Sequence, residues 1–239
     1  PTRPTAMLRS LVGSEMCIRD RVYILKMQLI KKYFPQLNDI QLKKLLHFEK
    51  LIKEWNKKIN LISRKDVENF QINHLIHSLS ISKLILFEPK TKVLDIGTGG
   101  GLPGIPLAIF FPQTIFHLVD RKQKKIDVLK NIIIELDLKN VIVERIDAQD
   151  ISNEYDFILN RAVSSTENIL SISQNKIKSN SFNKIQNGII CLKGGNLENE
   201  VSNLKIFKIL NLNKIFSEPF FETKKILYIP NPYTHMDNQ

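Results

Sequence analysis

The sequence predicts a doubly wound, mostly parallel α/β sheet behind an N-terminal helical extension. Short β-like runs alternate with helical stretches from residue 92 onward, which is the pattern of a parallel sheet covered by helices. The preceding stretch, 23 to about 86, shows helical spacing only, and a glycine-rich turn closes the first β-like run. With 239 residues, 43% of them hydrophobic, the chain can bury a full core, which excludes wholesale disorder. It suits one domain, or one domain with an appendage.

Taken in order, the elements begin with an anomaly. Residues 1–22 hold four of the 8 Arg but no Lys or Asn and one Ile, whereas the whole chain has 27 Lys, 21 Asn and 34 Ile. The segment lacks an apolar run followed by a small-residue cleavage site, so it does not read as a targeting peptide. It resembles translated sequencing-adapter sequence and is expected to be non-native or disordered. Residues 23–89 read as the helical extension. Leu42, Leu45, Leu46, Phe48, Leu51, Ile52 and Trp55 recur at helical spacing after a candidate cap at Asn38 or Asp39. A second helix is expected from Asp66 through Leu84, ended by Pro89. Residues 90–239 read as the main domain, with strands expected at Lys92–Ile96, Ile115–Val119, Val141–Glu144, Phe157–Asn160, Gly188–Leu192 and Ile226–Ile229. Helices are expected near 104–111, 122–137 and 166–178. The Ser- and Asn-rich stretch 171–187 is expected to be a poorly packed connection.

The formal charge of +11 falls to +9 once the four Arg and two acids of residues 1–22 are set aside. A basic surface permits an anionic partner, although solubility alone accounts for such a charge. Two cysteines exclude a disulfide scaffold and fit a reducing, cytoplasmic setting. No apolar stretch reaches the ~18 residues of a membrane span.

The chemistry concentrates at VLDIGTGGGLPGIP. Gly97, Gly99, Gly100 and Gly101 allow a sharp turn and close backbone approach to a ligand, and the next helix points its amide-rich start at the same place. Asp120, at the end of the second expected strand, can accept the hydroxyl hydrogens of a ribose. A nucleoside ligand follows, but not which one. Gly99, Gly101 and Gly104 satisfy G-x-G-x-x-G, so a nicotinamide cofactor stays open. Asp95 beside the loop argues against it, because a carboxylate there repels pyrophosphate. S-adenosylmethionine has no phosphate and carries an ammonium, and D-x-G-x-G-x-G at Asp95–Gly101 suits it better.

With VLDIGTGGGLPGIPLAI, the segments EWNKKINLISRKD (54–66), NHLIHSLS (73–80), LVDRKQKK (118–125), NRAVSS (160–165) and CLKGG (191–195) follow one another in a familiar order. Over about residues 37–230 the chain resembles the RsmG/GidB family of bacterial 16S rRNA guanine-7 methyltransferases. The resemblance implies a Rossmann-like class I S-adenosylmethionine methyltransferase that acts on 16S rRNA or the small ribosomal subunit. It implies cofactor contacts at Asp95, Gly97, Gly99, Gly101, Leu102 and Asp120, adenine against Ala148 and Gln149, and a functional Arg161 where cofactor and base meet. Lys124, Lys125, Lys193 and Lys225 are the expected RNA contacts, with Lys193 and Arg161 nearest the chemistry; Lys224 is a weaker candidate. A monomer without metal is expected. Methyl transfer to a ring nitrogen that already carries a lone pair needs no general base, and the chain shows no Ser/His/Asp order, H-E-x-x-H or metal-spaced cysteines.

Departures from the family pattern fall at His77, where Asp is common, at Arg121 for Ser, at Asp147 for Arg and at Lys225 for Arg, which keeps charge but loses a bidentate fork. They put individual RNA contacts in doubt more than the cofactor site. His74 and His77 share a helix face, but without a third ligand they read as packing and capping. Cys191 reads as buried and inert, Trp55 as core, and Asn231-Pro232-Tyr233 as a tail turn. Two rival readings stand beside the methyltransferase: a nicotinamide-dependent oxidoreductase, and a catalytically silent RNA-binding assembly factor.

Overall fold

The computed structural model describes residues 21–63, 66–161 and 165–233. The expectation for residues 1–22 therefore lies, apart from 21 and 22, outside the described residues. Helix α1 covers residues 21–33 and α2 covers Asp39–Asn56. Asn38 caps α2: its side chain accepts from Gln41 N at 2.9 Å, and the Gln41 side chain accepts from Asn38 N at 3.0 Å. Such a reciprocal cap is worth about 1 kcal/mol. Buried Glu49 is held between Lys26 at 2.5 Å and Lys53 at 3.0 Å, tying α1 to α2. The second expected helix is a compound one, α3, over residues 70–83. Its start is wound as a π-helix, Gln71–Ile76, before an α-turn at His77–Leu79 and a 3₁₀ end at Ser80–Lys83. A widened turn of this kind leaves no trace in a 3.6-residue pattern and is frequent at functional sites.

The sheet follows: β1 (Lys92–Ile96), α4 (Gly104–Phe110), β2 (Ile115–Asp120), α5 (Gln123–Glu135), β3 (Val141–Arg145), β4 (Phe157–Arg161), α6 (Thr166–Ser173), β5 (Gly188–Gly194), α7 (Glu198–Val201), β6 (Lys208–Asn211) and β7 (Lys224–Pro230). The strand order is β3-β2-β1-β4-β5-β7-β6. The first five are parallel, and β7 runs antiparallel between β5 and β6. All six expected strands are present. The sequence reading missed β6, a four-residue edge strand only half-buried, which is too short to show alternation.

One core cluster joins α1, α2 and α3 to one face of the sheet through Leu45, Phe48, Leu75, Val93, Phe116 and Phe157. A second, with Leu94, Ile158, Ile169, Ile189 and Cys191, fills the other face. Helix α4 is buried all round, because α2 and α3 cover the side that the sheet leaves open. The connection 174–187 is better packed than its composition suggests. Ile177 bridges Tyr155 in a parallel pairing, Lys178 meets Asp156 at 3.0 Å, and buried Asn187 donates to the Lys178 and Asn180 carbonyls. Helix α6 ends at Ser173, earlier than the periodicity implied, where the Gln174 backbone turns out of the helical region at ψ 133°.

Candidate active site

Strand order reverses between β1 and β4, and both strands carry polar side chains near their ends at that gap. The glycine loop begins there. Gly97, Gly99 and Gly101 all have positive φ. At Gly101 a Cβ would lie 2.5 Å from Ile105, and at Gly104 it would lie 2.7 Å from Asp95 Oδ2, so helix α4 approaches the strand closely only without side chains. Asp95 is fully buried, and its Oδ2 accepts from Thr98 Oγ1 at 2.7 Å and Gly104 N at 3.0 Å. Its Oδ1 has no partner. Burial pushes the carboxyl up to about 6, against the opposing bonds from Thr98 and Gly104 and the field of Arg161.

Beside the loop opens a crevice of about 410 Å³, lined among others by Gly97, Asp120, Lys125, Ala148 and Asn160. Asp120 Oδ1 accepts from Lys122 N at 2.9 Å, and Oδ2 accepts from Gly99 N at 3.1 Å with Lys125 Nζ at 3.7 Å. Three groups thus fix the carboxylate at the end of β2. Asn160 is buried at the end of β4 with its Oδ1 unpartnered. Val119, Ile146, Ala148, Ile169 and Ile172 give the far wall an apolar face.

A second cavity, about 510 Å³, lies on the other side of β4 between α3 and the ends of β4 and β5. Asn160 lines the first space and Arg161, the next residue, the second. Arg161 Nη2 donates to the Asn73 carbonyl at 3.0 Å and to His74 Nδ1 at 2.5 Å. Burial brings its guanidinium down to about 10, partly offset by Asp66 and Asp95, so it stays charged at neutral pH. Burial, with Arg161 second, lowers His74 to about 3, and burial above all holds His77 well below the ordinary histidine range. Both rings are neutral. Lys193 Nζ meets Glu200 Oε2 at 2.6 Å, and Thr166 Oγ1 donates to the same oxygen at 2.7 Å. Burial raises the Glu200 carboxyl, but these bonds outweigh it and leave the group below its usual range.

The GidB family model, described as rRNA small subunit methyltransferase G, matches residues 41–225. The chain belongs to this family. Ribosomal RNA small subunit methyltransferase G of Flavobacterium johnsoniae is 45% identical over 201 residues, covering 84% of this chain and 96% of that protein. The protein of the same name from Bacteroides thetaiotaomicron is 46% identical over 203 residues, covering 84% and 98%. Among solved structures, MtNAS in complex with MTA and tNA superposes with a TM-score of 0.54 at 15% identity, covering 86% of this chain and 76% of that one. Precorrin-6y C5,15-methyltransferase from Geobacter metallireducens superposes at 0.50 with 14% identity, covering 72% and 90%. Those two likenesses bear on the fold alone, and with the seven-stranded sheet they show a Rossmann-like methyltransferase architecture. Membership of the GidB family does not favour the nicotinamide alternative.

For a GidB-family chain, the residues expected from sequence divide instructively. Gly97, Asp120 and Ala148 line the crevice and Asp95 lies buried behind it, whereas Leu102 is buried in the core and Gln149 is exposed. Gly99 contributes its amide to Asp120, and Gly101 packs under Ile105. Lys124 is exposed, as an RNA contact would be. Lys125, expected beside it, turns its ammonium into the crevice towards Asp120, the nearest carboxylate. Lys193 lines the second cavity, but as half of an ion pair with a side chain 9% exposed. Lys225 donates to the Gly195 carbonyl at 2.8 Å, while Lys224 lines the cavity and stands over the Phe220 ring. Two departures from the family pattern meet each other: Arg121 Nε lies 3.0 Å from Asp147 Oδ2. The sequence reading missed Asn160, Asn73 and Asp66, and gave His74 and His77 to packing. Cys191 is fully buried, its thiol pushed up to about 12 by burial, and Trp55 packs against the core.

Proposed function

We propose that this chain transfers a methyl group from S-adenosylmethionine to N7 of a guanine in 16S rRNA within the small ribosomal subunit. The observation that carries the reading is the pair of spaces divided by one strand end, with Asn160 facing the crevice and Arg161 the cavity. In-line transfer needs the methyl and the acceptor nitrogen within about 3–3.5 Å, so the two ligands would meet past the end of β4, where Asn160 and Arg161 are consecutive. The crevice residues fit the cofactor. Asp95 Oδ1 and Asn160 Oδ1 are buried acceptors without partners, suited to an ammonium or amine, and the held Asp120 carboxylate suits ribose hydroxyls. The apolar wall at Ala148 suits a purine face. When bound, S-adenosylmethionine supplies an electrophilic methyl on its sulfonium.

The chain's own residues then orient and solvate. Guanine N7 carries its lone pair at neutral pH, so no residue has to remove a proton before attack. Arg161, fixed through Asn73 and His74, is the catalytic residue: it holds the acceptor base from the cavity side. The carboxylates of Asp66 and Asp95 offset its charge as positive charge grows on the base. Lys193 keeps β5 and α7 together through Glu200 at the cavity wall. Exposed Lys124, with Lys224 and Lys225 near the rim, meets RNA phosphates. A ribosomal RNA substrate puts the protein in the cytoplasm, and one chain carries both spaces, so it acts as a monomer. Among the described residues no helix is long and apolar enough to cross a membrane. Transfer of labelled methyl to 30S particles lacking the modification, followed by mapping of 7-methylguanosine in 16S rRNA, tests this. Absence of the product sinks the methyltransferase reading and leaves the silent assembly factor.

A further inference from the structure

Buried polar atoms in folded proteins nearly always find partners. Nε2 of His74 and Nη1 of Arg161 are buried without one, His77 has only the Asn73 carbonyl beside one ring nitrogen, and all three residues line the same cavity. Their hydrogens can be assigned. A guanidinium only donates, so His74 Nδ1 accepts from Arg161 and the His74 proton sits on Nε2. A neutral His77 has one donor nitrogen and one acceptor nitrogen. With the His77 donor directed at the Asn73 carbonyl, the three residues offer a ligand donors from Arg161 and His74, and a single acceptor, on His77. Guanine presents the complement, with O6 accepting beside N1–H donating; adenine reverses both, donating at N6 and accepting at N1. The His77 ring is seated edge-on against Phe220, centroids 5.3 Å apart, and Phe221, 6.1 Å. Those contacts hold its carbon frame and use neither nitrogen.

We propose that His77 is a specificity-determining residue of the acceptor cavity, its free ring nitrogen accepting N1–H of a guanine whose O6 is held by Arg161 and His74. That arrangement engages N1–H and O6 and leaves the N7 lone pair free. The assignment rests on the methyl-transfer reading above. A pair of histidines three residues apart would otherwise suggest a metal, but His74 Nδ1 is already engaged by Arg161.

Two substitutions separate recognition from packing. His77→Phe keeps the aromatic contacts with Phe220 and Phe221 and removes both nitrogens, while His77→Asn removes the ring but keeps a donor and an acceptor. Each is measured for kcat/KM of methyl transfer to unmodified 30S particles, for S-adenosylmethionine affinity and for melting temperature. The expected result is S-adenosylmethionine affinity within about twofold of wild type for both, with kcat/KM lowered roughly 10- to 100-fold in His77→Phe and largely restored in His77→Asn. If His77→Phe does not fold, His77→Leu takes its place. A fully active His77→Phe, or a His77→Asn no better than it, overturns the assignment while wild-type activity keeps the methyl-transfer reading. Wild-type protein that methylates no 30S particle overturns both.

Discussion

The cofactor crevice and the acceptor cavity share β4, yet they are built on different principles. The crevice is mostly a product of neighbouring residues. Asp95, the glycine loop and Gly104 lie within ten positions, and Asp120 is fixed by amides of Gly99 and Lys122. The cavity is assembled from distant parts: Asn73, His74 and His77 on α3, Arg161 on β4, Lys193 on β5 and Phe220 near β7. Local backbone makes the first site tolerant of surface drift. The second depends on buried side chains satisfying one another across long sequence separations, so it can change its chemistry one residue at a time.

The sharpest break between the two regions is Arg161→Ala. It removes a buried charge from the cavity and leaves the Asn73 carbonyl and His74 Nδ1 without their donor. Methyl transfer should fall by about 10³, the scale seen when a preorganised charged or donor group is lost from an active site. S-adenosylmethionine affinity, measured by calorimetry, should stay within a few-fold. Equal loss of both would mean that the two spaces are one energetic unit. Asp120→Ala makes the reciprocal cut. Cofactor affinity should weaken roughly 10- to 100-fold, as for a buried charged hydrogen-bond partner, while non-specific RNA binding is unchanged.

The same division explains what could be read from the chain beforehand. The glycine loop, Asp95, Asp120 and the Asn38 cap were legible because each is a local device whose residue types are set by backbone geometry. Six of seven strands were legible from apolar runs; β6 was not, because four half-buried edge residues carry no pattern. The cavity was largely illegible. Nothing in NHLIHS says that a π-turn sets Asn73 and His74 against an arginine 87 residues later. The position of Lys125 was hidden for a similar reason. A run such as RKQKK gives charge but not rotation, and the helix turns Lys124 outward and Lys125 inward.

Acid should act on the two regions with opposite sign. His74 and His77 titrate lower when folded than unfolded, so the unfolded chain takes up protons first as pH falls below 6.5. Their contribution is fully present above 6.5 and is lost progressively as pH falls, for His74 down to about 3. Asp95 goes the other way. Its folded value of about 6 exceeds the unfolded 3.8, so protonation favours the folded state as pH drops through that window. Two histidines outweigh one carboxyl, and the melting temperature should decline from pH 7 to pH 5. Asp95→Asn removes the compensating group, so its decline over that range should be steeper than in the wild type. An unchanged decline would show that Asp95 takes up no proton in that window.

The smallest expected effects distinguish two adjacent lysines. Lys124 is exposed near the start of α5, where the helix dipole disfavours a cation, so a phosphate contact is the role its position leaves open. Lys124→Ala should weaken RNA binding uniformly across sequences and reduce the slope of log K against log salt by about one. Lys125 stands 3.7 Å from Asp120 Oδ2 with its side chain 20% exposed. Lys125→Ala should leave the salt slope unchanged and shift cofactor affinity by only a few-fold, because the Gly99 and Lys122 amides still hold Asp120. If instead both substitutions reduce the salt slope equally, Lys125 swings out of the crevice when RNA arrives. The two regions would then be coupled through Asp120, whose ion-pair partner the RNA would have taken.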